Sequence, residues 1–233
     1  MERYDAGKSG VTLNEVKEIV WAGIFAAVDT TSGKMGWSVI HAALNPELQQ
    51  KLYEEVAAAV ALNGGKLTVE SLERSNAPFL HAFLRESHRI TPVSPIATRK
   101  FVSAADGLTI HGVNLPRGTA VACDGYSTGM DPTIVDEPRS FRPERWLPDA
   151  VAKRKGTPAE VVDHPYFKDP FSQGPRKCPG SRVALNEVAV ILAQLVLDYE
   201  ITAPTASSLD DIDYAMETVL EPLLPELKFT KRI

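Results

Sequence analysis

FSQGPRKCPG, residues 171–180, sets one of the chain's two cysteines among two glycines, two prolines and two cations, with an apolar run directly after it. That run, residues 181–197, reads as a helix, so Cys178 sits just before a helix N-terminus. The positive end of the helix dipole and the free N–H groups there favour a deprotonated sulfur. Arg176, Lys177 and Arg182 add positive charge. Gly174 and Gly180 permit backbone shapes and close approaches that a Cβ would block. This is the setting of a thiolate metal ligand whose flat partner comes close to the backbone. Taken alone, the same residues also suit a buried structural cysteine beside a helix start.

The rest of the chain narrows the choice. Its 233 residues are 44% hydrophobic and 24% charged, enough for a sizeable core in one domain or part of one. A net charge of −5 and a pI of about 5.6 give no support to nucleic-acid binding. Cys123 and Cys178 form neither a disulfide framework nor a zinc set, which suits a reducing compartment or a cysteine reserved for chemistry. There is no CxxC, HExxH or glycine-rich phosphate loop, and the histidines at 41, 81, 88, 111 and 164 share no metal-ligand spacing. The N-terminus MERYDAGKSG carries no signal-peptide core, presequence or membrane span.

Thr12-Leu-Asn-Glu15 reads as a capping box opening a helix of roughly 30 residues and about 45 Å, to Leu44 before Asn45-Pro46. Its middle is apolar, from Ile19 to Val28. A second helix runs from Pro46 to about Leu62 and ends at Gly64-Gly65. A short third helix is expected after Thr68, and a fourth from Pro78 to Ile90. The runs IATRKF, LTIHGVNL and TAVACDGY are strands, with a turn at Pro116-Arg117-Gly118, and Cys123 is expected in the core. From Asp131 to Pro170 the chain is a proline-rich ordered meander. The helix over 181–197 is apolar nearly all round and is expected to be buried. The tail, 199–233, alternates like a terminal hairpin, with turn chemistry at Glu221-Pro222 and Pro225.

The pattern Phe171-x-x-Gly174-x-Arg176-x-Cys178-x-Gly180 resembles, at all five key positions, the haem-ligating loop of the cytochrome P450 family. The resemblance implies a mainly α fold with small β-sheets, here the C-terminal portion of the P450 fold. It implies haem b (iron protoporphyrin IX) held by Cys178 as the axial thiolate. Arg176 then faces a haem propionate, Phe171 packs near the sulfur, and Gly180 lets the next helix pass under the porphyrin.

Other segments are consistent with this. Glu86 and Arg89 lie one turn apart, and Glu86 shares a face with Phe79, Phe83 and Ile90, so its carboxylate needs a partner. In the family, such an E-x-x-R pair joins an arginine of the meander; here that is Arg145 in FRPERW, 141–146. By itself the pair also reads as an ordinary surface ion pair. Ala26-Ala-Val-Asp29-Thr30-Thr31 resembles the oxygen-activation motif, with Ala27 where glycine is usual. Asp29 and Thr30 are then the proton relay, and the bland reading is a cap on a new helix. Arg99 matches a second propionate contact, or is an exposed strand arginine. The resemblance implies that Phe25, Ala26, Val93 and Ile96 line the substrate pocket, with Val219 and Leu220 as weaker candidates.

The implied activity is insertion of one oxygen atom of O2 into a small lipophilic substrate, with electrons from a flavoprotein reductase or a ferredoxin. Lys153-Arg154-Lys155, with the cations of the cysteine loop, offers such a donor a basic face, or is a solvated charge run. The resemblance covers only about the C-terminal half of the family. The chain is therefore expected to be a fragment, unstable or inactive alone and baring apolar surface. Membrane association, at the endoplasmic reticulum or mitochondrion, is expected only through the missing half. A non-catalytic haem-binding remnant and a helical domain with an inert cysteine are the alternatives.

Overall fold

A computed structural model describes residues 10–216 and 219–233; the side chains at 96–99 and 123 lie outside the described set, so the expected core position of Cys123 and the contacts of Ile96 and Arg99 do too. Helix α1 spans Leu13–Leu44, opened by the capping box: Thr12 Oγ1 accepts the Glu15 N–H at 3.3 Å, and Glu15 Oε2 accepts the Thr12 N–H at 2.6 Å. Helix α2, Pro46–Leu62, follows after one residue, and α3 is Pro78–Ile90. Helix α7, Ser181–Asp198, comes late in the chain and packs against α1, α2 and α3.

The core lies where these four helices meet. Val39, Ala42 and Ala43 of α1, Leu52 and Val56 of α2, Leu80 and Phe83 of α3, and Leu192 and Val196 of α7 form one buried cluster. Burying a large aliphatic or aromatic side chain contributes about 1.5–3 kcal/mol, so this cluster dominates the stability of the bundle. Gln49 ties its polar edge. The buried amide donates to Ala42 O (2.9 Å) and Ile201 O (2.8 Å) and accepts from Ile201 N (2.8 Å), joining α1, α2 and the first tail strand.

Helix α3 has no cap of its own, because Ala77 precedes it. Glu55 of α2 supplies one, its two oxygens each accepting a backbone N–H, from Phe79 and Leu80, at 2.8 Å. Burial pushes the Glu55 carboxyl upward, and the two N–H groups oppose that shift. Glu55→Ala is expected to cost about 1–2 kcal/mol, the range for a lost N-cap, read as a lower urea midpoint at unchanged slope.

The described residues form four two-stranded antiparallel sheets beside the helices. Strand β1 (Ile96–Phe101) pairs with β4 (Ala120–Asp124) through a register shift between Ala97 and Arg99. Strands β2 (Leu108–Ile110) and β3 (Val113–Leu115) form a hairpin closed by His111 and Gly112, both left-handed at φ 47° and 80°, as a primed turn requires. Strands β5 (Tyr199–Thr202) and β8 (Lys228–Lys231) pair in the tail, as do β6 (Tyr214–Met216) and β7 (Leu220–Pro222).

Several expectations are corrected. No third helix follows Thr68; Thr68 and Ser71 satisfy each other's backbone N–H groups through their hydroxyls, and residues 69–76 form turns with three-residue hydrogen bonds. Gly125 and Tyr126 are not strand but the start of a short helix α4, Gly125–Gly129, capped by Asp124. Glu221 and Pro222 lie inside β7 rather than in a turn, which a two-stranded ladder tolerates because each strand is an edge. The proline-rich meander is ordered in short pieces, each begun by a proline at its first position: a 3₁₀ turn at Pro143–Trp146, α5 at Pro148–Arg154, a second 3₁₀ turn at Pro158–Asp163 and α6 at Pro165–Lys168.

Helix α7 is buried on one face only. Val188, Ala189, Leu192, Ala193 and Val196 are covered, whereas Val183, Leu185 and Ile191 are exposed. The first half of α1 is bare as well: Trp21 is 72% exposed and Phe25 61%. An apolar helix surface of this kind normally marks contact with another element. Among the described residues nothing covers it.

Candidate functional site: the cysteine loop and the glutamate hub

Residues 171–180 link α6 to α7. The Cys178 N–H donates to Phe171 O at 3.0 Å and the Lys177 N–H to Gly174 O at 3.0 Å, closing the loop on itself. Gly174 has φ 83°, where a side chain would be strained. Gly180 has an ordinary φ of −82°, so the turn does not demand glycine there. A Cβ at 180 would lie 3.9 Å from Cys178 Sγ; its absence leaves the ground beside the sulfur open. Cys178 is a free, exposed thiol. No side chain caps α7, and the Ser181 N–H donates to Cys178 O at 3.4 Å, so the cysteine backbone itself sits on the first turn of the helix. Arg176 is exposed and, among the described residues, in no ion pair, while Phe171 is half-buried.

Helix α3 carries a buried carboxylate. Glu86 is 0% exposed and its two oxygens accept five hydrogen bonds. Oε1 accepts Arg89 Nη2 at 2.8 Å, Arg142 N at 2.9 Å and Arg145 Nε at 3.0 Å. Oε2 accepts Arg89 Nε at 2.9 Å and Trp146 Nε1 at 2.6 Å. Glu86, Arg89 and Arg145 therefore come together, and Glu86 is buried rather than part of a surface ion pair. Arg89 also donates to Gly129 O (2.8 Å) and Pro138 O (2.7 Å), and Arg145 to Asp136 O (2.9 Å), so the hub pins α4 and the meander to α3. Trp146 was not anticipated in this role. Its indole N–H reaches the carboxylate, and its ring lies against the guanidinium of Arg85 at 3.8 Å.

On the long helix, Asp29 and Thr30 start no new helix, since α1 runs through them unbroken. Thr30 Oγ1 donates back to Ala26 O at 2.7 Å, and Ser32 Oγ to Asp29 O at 3.1 Å. Asp29 and Thr30 are not hydrogen-bonded to each other. One turn on, Gly33 is buried against Leu220 and Val93: a Cβ there would lie 3.6 Å from Leu220 O and 4.0 Å from Val93 Cγ1. Leu220 N donates to Val93 O at 2.7 Å, and Trp37 Nε1 to Leu220 O at 2.9 Å. Val93, Val219 and Leu220 are thus gathered at the Gly33 level of α1, with Val93 and Val219 buried. Phe25 and Ala26 lie two turns earlier on the bare stretch and do not join them.

Lys34, a cation at the next position of α1, carries no motif that signals its role. Its Nζ donates to Ser87 Oγ at 2.8 Å and Leu84 O at 3.1 Å, with no carboxylate partner among the described residues, and burial pushes it down to about 7. The expected basic face is thinner than its sequence. Arg154 is turned inward onto Asp163 (2.5 and 2.8 Å), and Lys177 is paired with Asp169 (2.5 Å). Arg176, Arg182, Lys153 and Lys155 are exposed.

The family model described as Cytochrome P450 matches residues 1–229. The mitochondrial sterol 26-hydroxylase of Rattus norvegicus is 31% identical over 210 residues, which is 90% of this chain and 34% of that protein. The human enzyme of the same name is 33% identical, over 81% of this chain and 34% of its own length. A zebra fish cytochrome P450 solved with abiraterone superimposes with a TM-score of 0.77 at 27% identity, covering 99% of this chain and 50% of that one. The chain thus spans about a third of these curated relatives and half of the solved structure.

Proposed function

We infer from a chain that belongs to the cytochrome P450 family that it supplies the haem-thiolate half of a monooxygenase, with Cys178 as the axial ligand. The family's cofactor is haem b, and the residues present fit it. The thiol is free and exposed, no Cβ crowds it from Gly180, and exposed Arg176 stands two residues away for a propionate. Apolar surface is bare on both α1 and the first turns of α7, as a flat apolar group between them would need. Haem, when bound, supplies the iron chemistry that activates O2.

The chain's own residues do the remaining work. Cys178 holds the group with its sulfur deprotonated at the start of α7. Asp29 and Thr30 pass protons along α1 once water bridges them, because the Thr30 hydroxyl now rests on Ala26 O. Val93, Val219 and Leu220 form the part of the substrate wall closest to Gly33, while Phe25, Ala26 and Ile96 are pocket residues that need the covering elements of the full protein. Arg99 is the second propionate contact, and Glu86, Arg89 and Arg145 are structural. The substrate class is a lipophilic small molecule; relatives named sterol 26-hydroxylase, and P450s solved with abiraterone and progesterone, support it. Those relatives are named mitochondrial, which favours that organelle and a ferredoxin as donor. No helix among the described residues is long and apolar enough to cross a membrane.

The observation that carries this reading is the free, exposed thiol at the start of α7, with no Cβ from Gly180 beside the sulfur. The chain is to be expressed with haem and its reduced CO difference spectrum recorded. A thiolate-type Soret band in the wild type, abolished in Cys178→Ser, is expected; a wild-type spectrum without that band overturns it. The bare helix surface also favours a second reading, a haem-binding chain without catalysis. Product formation with a reductase and a sterol separates the two.

A further inference from the structure

We propose that Asp169 is the positioning residue for the cysteine loop, setting where Cys178 sits by gripping three donors spread along it. The inference concerns the loop that the haem reading uses, but its geometry stands without haem. Asp169 Oδ1 accepts the Phe171 backbone N–H at 3.0 Å. Its Oδ2 accepts Gln173 Nε2 at 2.7 Å and Lys177 Nζ at 2.5 Å. The three donors come from the beginning, middle and end of the stretch that leads to Cys178.

Phe171 makes the link direct. Its N–H is held by Asp169 and its C=O accepts the Cys178 N–H at 3.0 Å, so one residue stands between the carboxylate and the cysteine backbone. Residues 172–179 contribute nothing to either buried apolar cluster. Ser172 and Gly174 both sit in the left-handed region, at φ 66° and 83°, a conformation with little intrinsic preference for the serine. A loop without apolar anchorage, holding a strained backbone, needs polar bonds to one fixed point. Charge-assisted bonds to a carboxylate are roughly twice as strong as neutral ones, and here one carboxylate receives all three.

Asp169 is itself well placed for this. Helix α6 ends at Lys168, Asp169 N donates back to Pro165 O at 3.2 Å, and Pro170 holds residue 169 extended at φ −100°, ψ 107°. Partial burial acts to raise its carboxyl, but the donors led by Lys177 outweigh that and hold it below the ordinary aspartate range. The pairing also commits Lys177 to the carboxylate of its own loop.

The test is hydrogen exchange on the haem-free full chain, followed for peptides that contain residues 171–178 and for α3 as an internal reference. Asp169→Leu is expected to speed exchange of the loop amides by about tenfold or more while α3 is unchanged. Asp169→Asn, which keeps an acceptor for Phe171, should fall between. Unchanged loop exchange in Asp169→Leu overturns the proposal. Should that variant not fold, the double variant Gln173→Leu with Lys177→Met leaves Asp169 in place and strips two donors. Faster loop exchange there supports the proposal, and wild-type exchange overturns it. Because haem takes no part in this measurement, its result is separate from the pigment of Cys178→Ser.

Discussion

Glu86→Gln will lower the stability of the chain by about 3–5 kcal/mol, the cost of breaking a buried charge set by removing one partner. The reason lies in the donor count. Five N–H groups from Arg89, Arg142, Arg145 and Trp146 converge on two carboxylate oxygens. Glutamine offers one oxygen and turns an NH2 toward donors that cannot accept it. Arg89 and Arg145 are 7% and 10% exposed in their side chains, so the positive charge left behind is poorly solvated. The loss will not stay local, because Arg89 and Arg145 also hold the carbonyls of Gly129, Pro138 and Asp136. We expect the meander and α4 to loosen before the α2–α7 core. Urea unfolding followed by far-UV circular dichroism gives the magnitude, and a midpoint equal to wild type would refute the hub.

Much of this hub is legible from residue register alone. Glu86 on the face of Phe79, Phe83 and Ile90 announces a buried charge, and a buried charge demands cations. What register cannot reveal is which meander groups arrive. Arg142 contributes a backbone N–H and Trp146 an indole N–H because a 3₁₀ turn at Pro143–Trp146 brings both to one side, and no periodicity in FRPERW encodes that. The cysteine loop shows the same division. Its five key positions and its place before α7 are readable, whereas the role of Asp169 depends on a through-space return from Lys177 eight residues on. The expectation of an all-round buried α7 failed for a different reason. Apolar content says which faces can be buried, but burial needs a partner, and Val183 and Leu185 have none among the described residues. The short helix after Thr68 failed because two hydroxyls satisfied the backbone before a helix could form.

The second large effect is a pH dependence carried by Lys34. An amine forced to about 7 in the folded chain, against 10.5 when free, is destabilising wherever it must stay charged. The sign follows from proton counts: between those values the unfolded chain binds more protons, so stability rises with pH from about 7 to about 10 and is flat below 7 for this group. A tenfold change in proton affinity corresponds to about 1.4 kcal/mol. Lys34 is half-buried as a residue, with only its Nζ end tucked between α1 and α3, and solvent screening trims the full effect to about 2 kcal/mol. The comparison to make is wild type against Lys34→Met, by urea unfolding at pH 7 and pH 10. Other titrating groups cancel between the two proteins. The wild type is expected to gain about 2 kcal/mol on the variant across that interval, and parallel pH profiles would show that the amine is solvated after all. The position gives the result a functional edge, because Lys34 lies one turn beyond Thr30 on the same helix, held to Ser87 beside the glutamate of the hub. Loss of the Lys34 proton above about 7 therefore favours the folded chain, with the neutral amine still placed between α1 and α3 by Ser87 and Leu84.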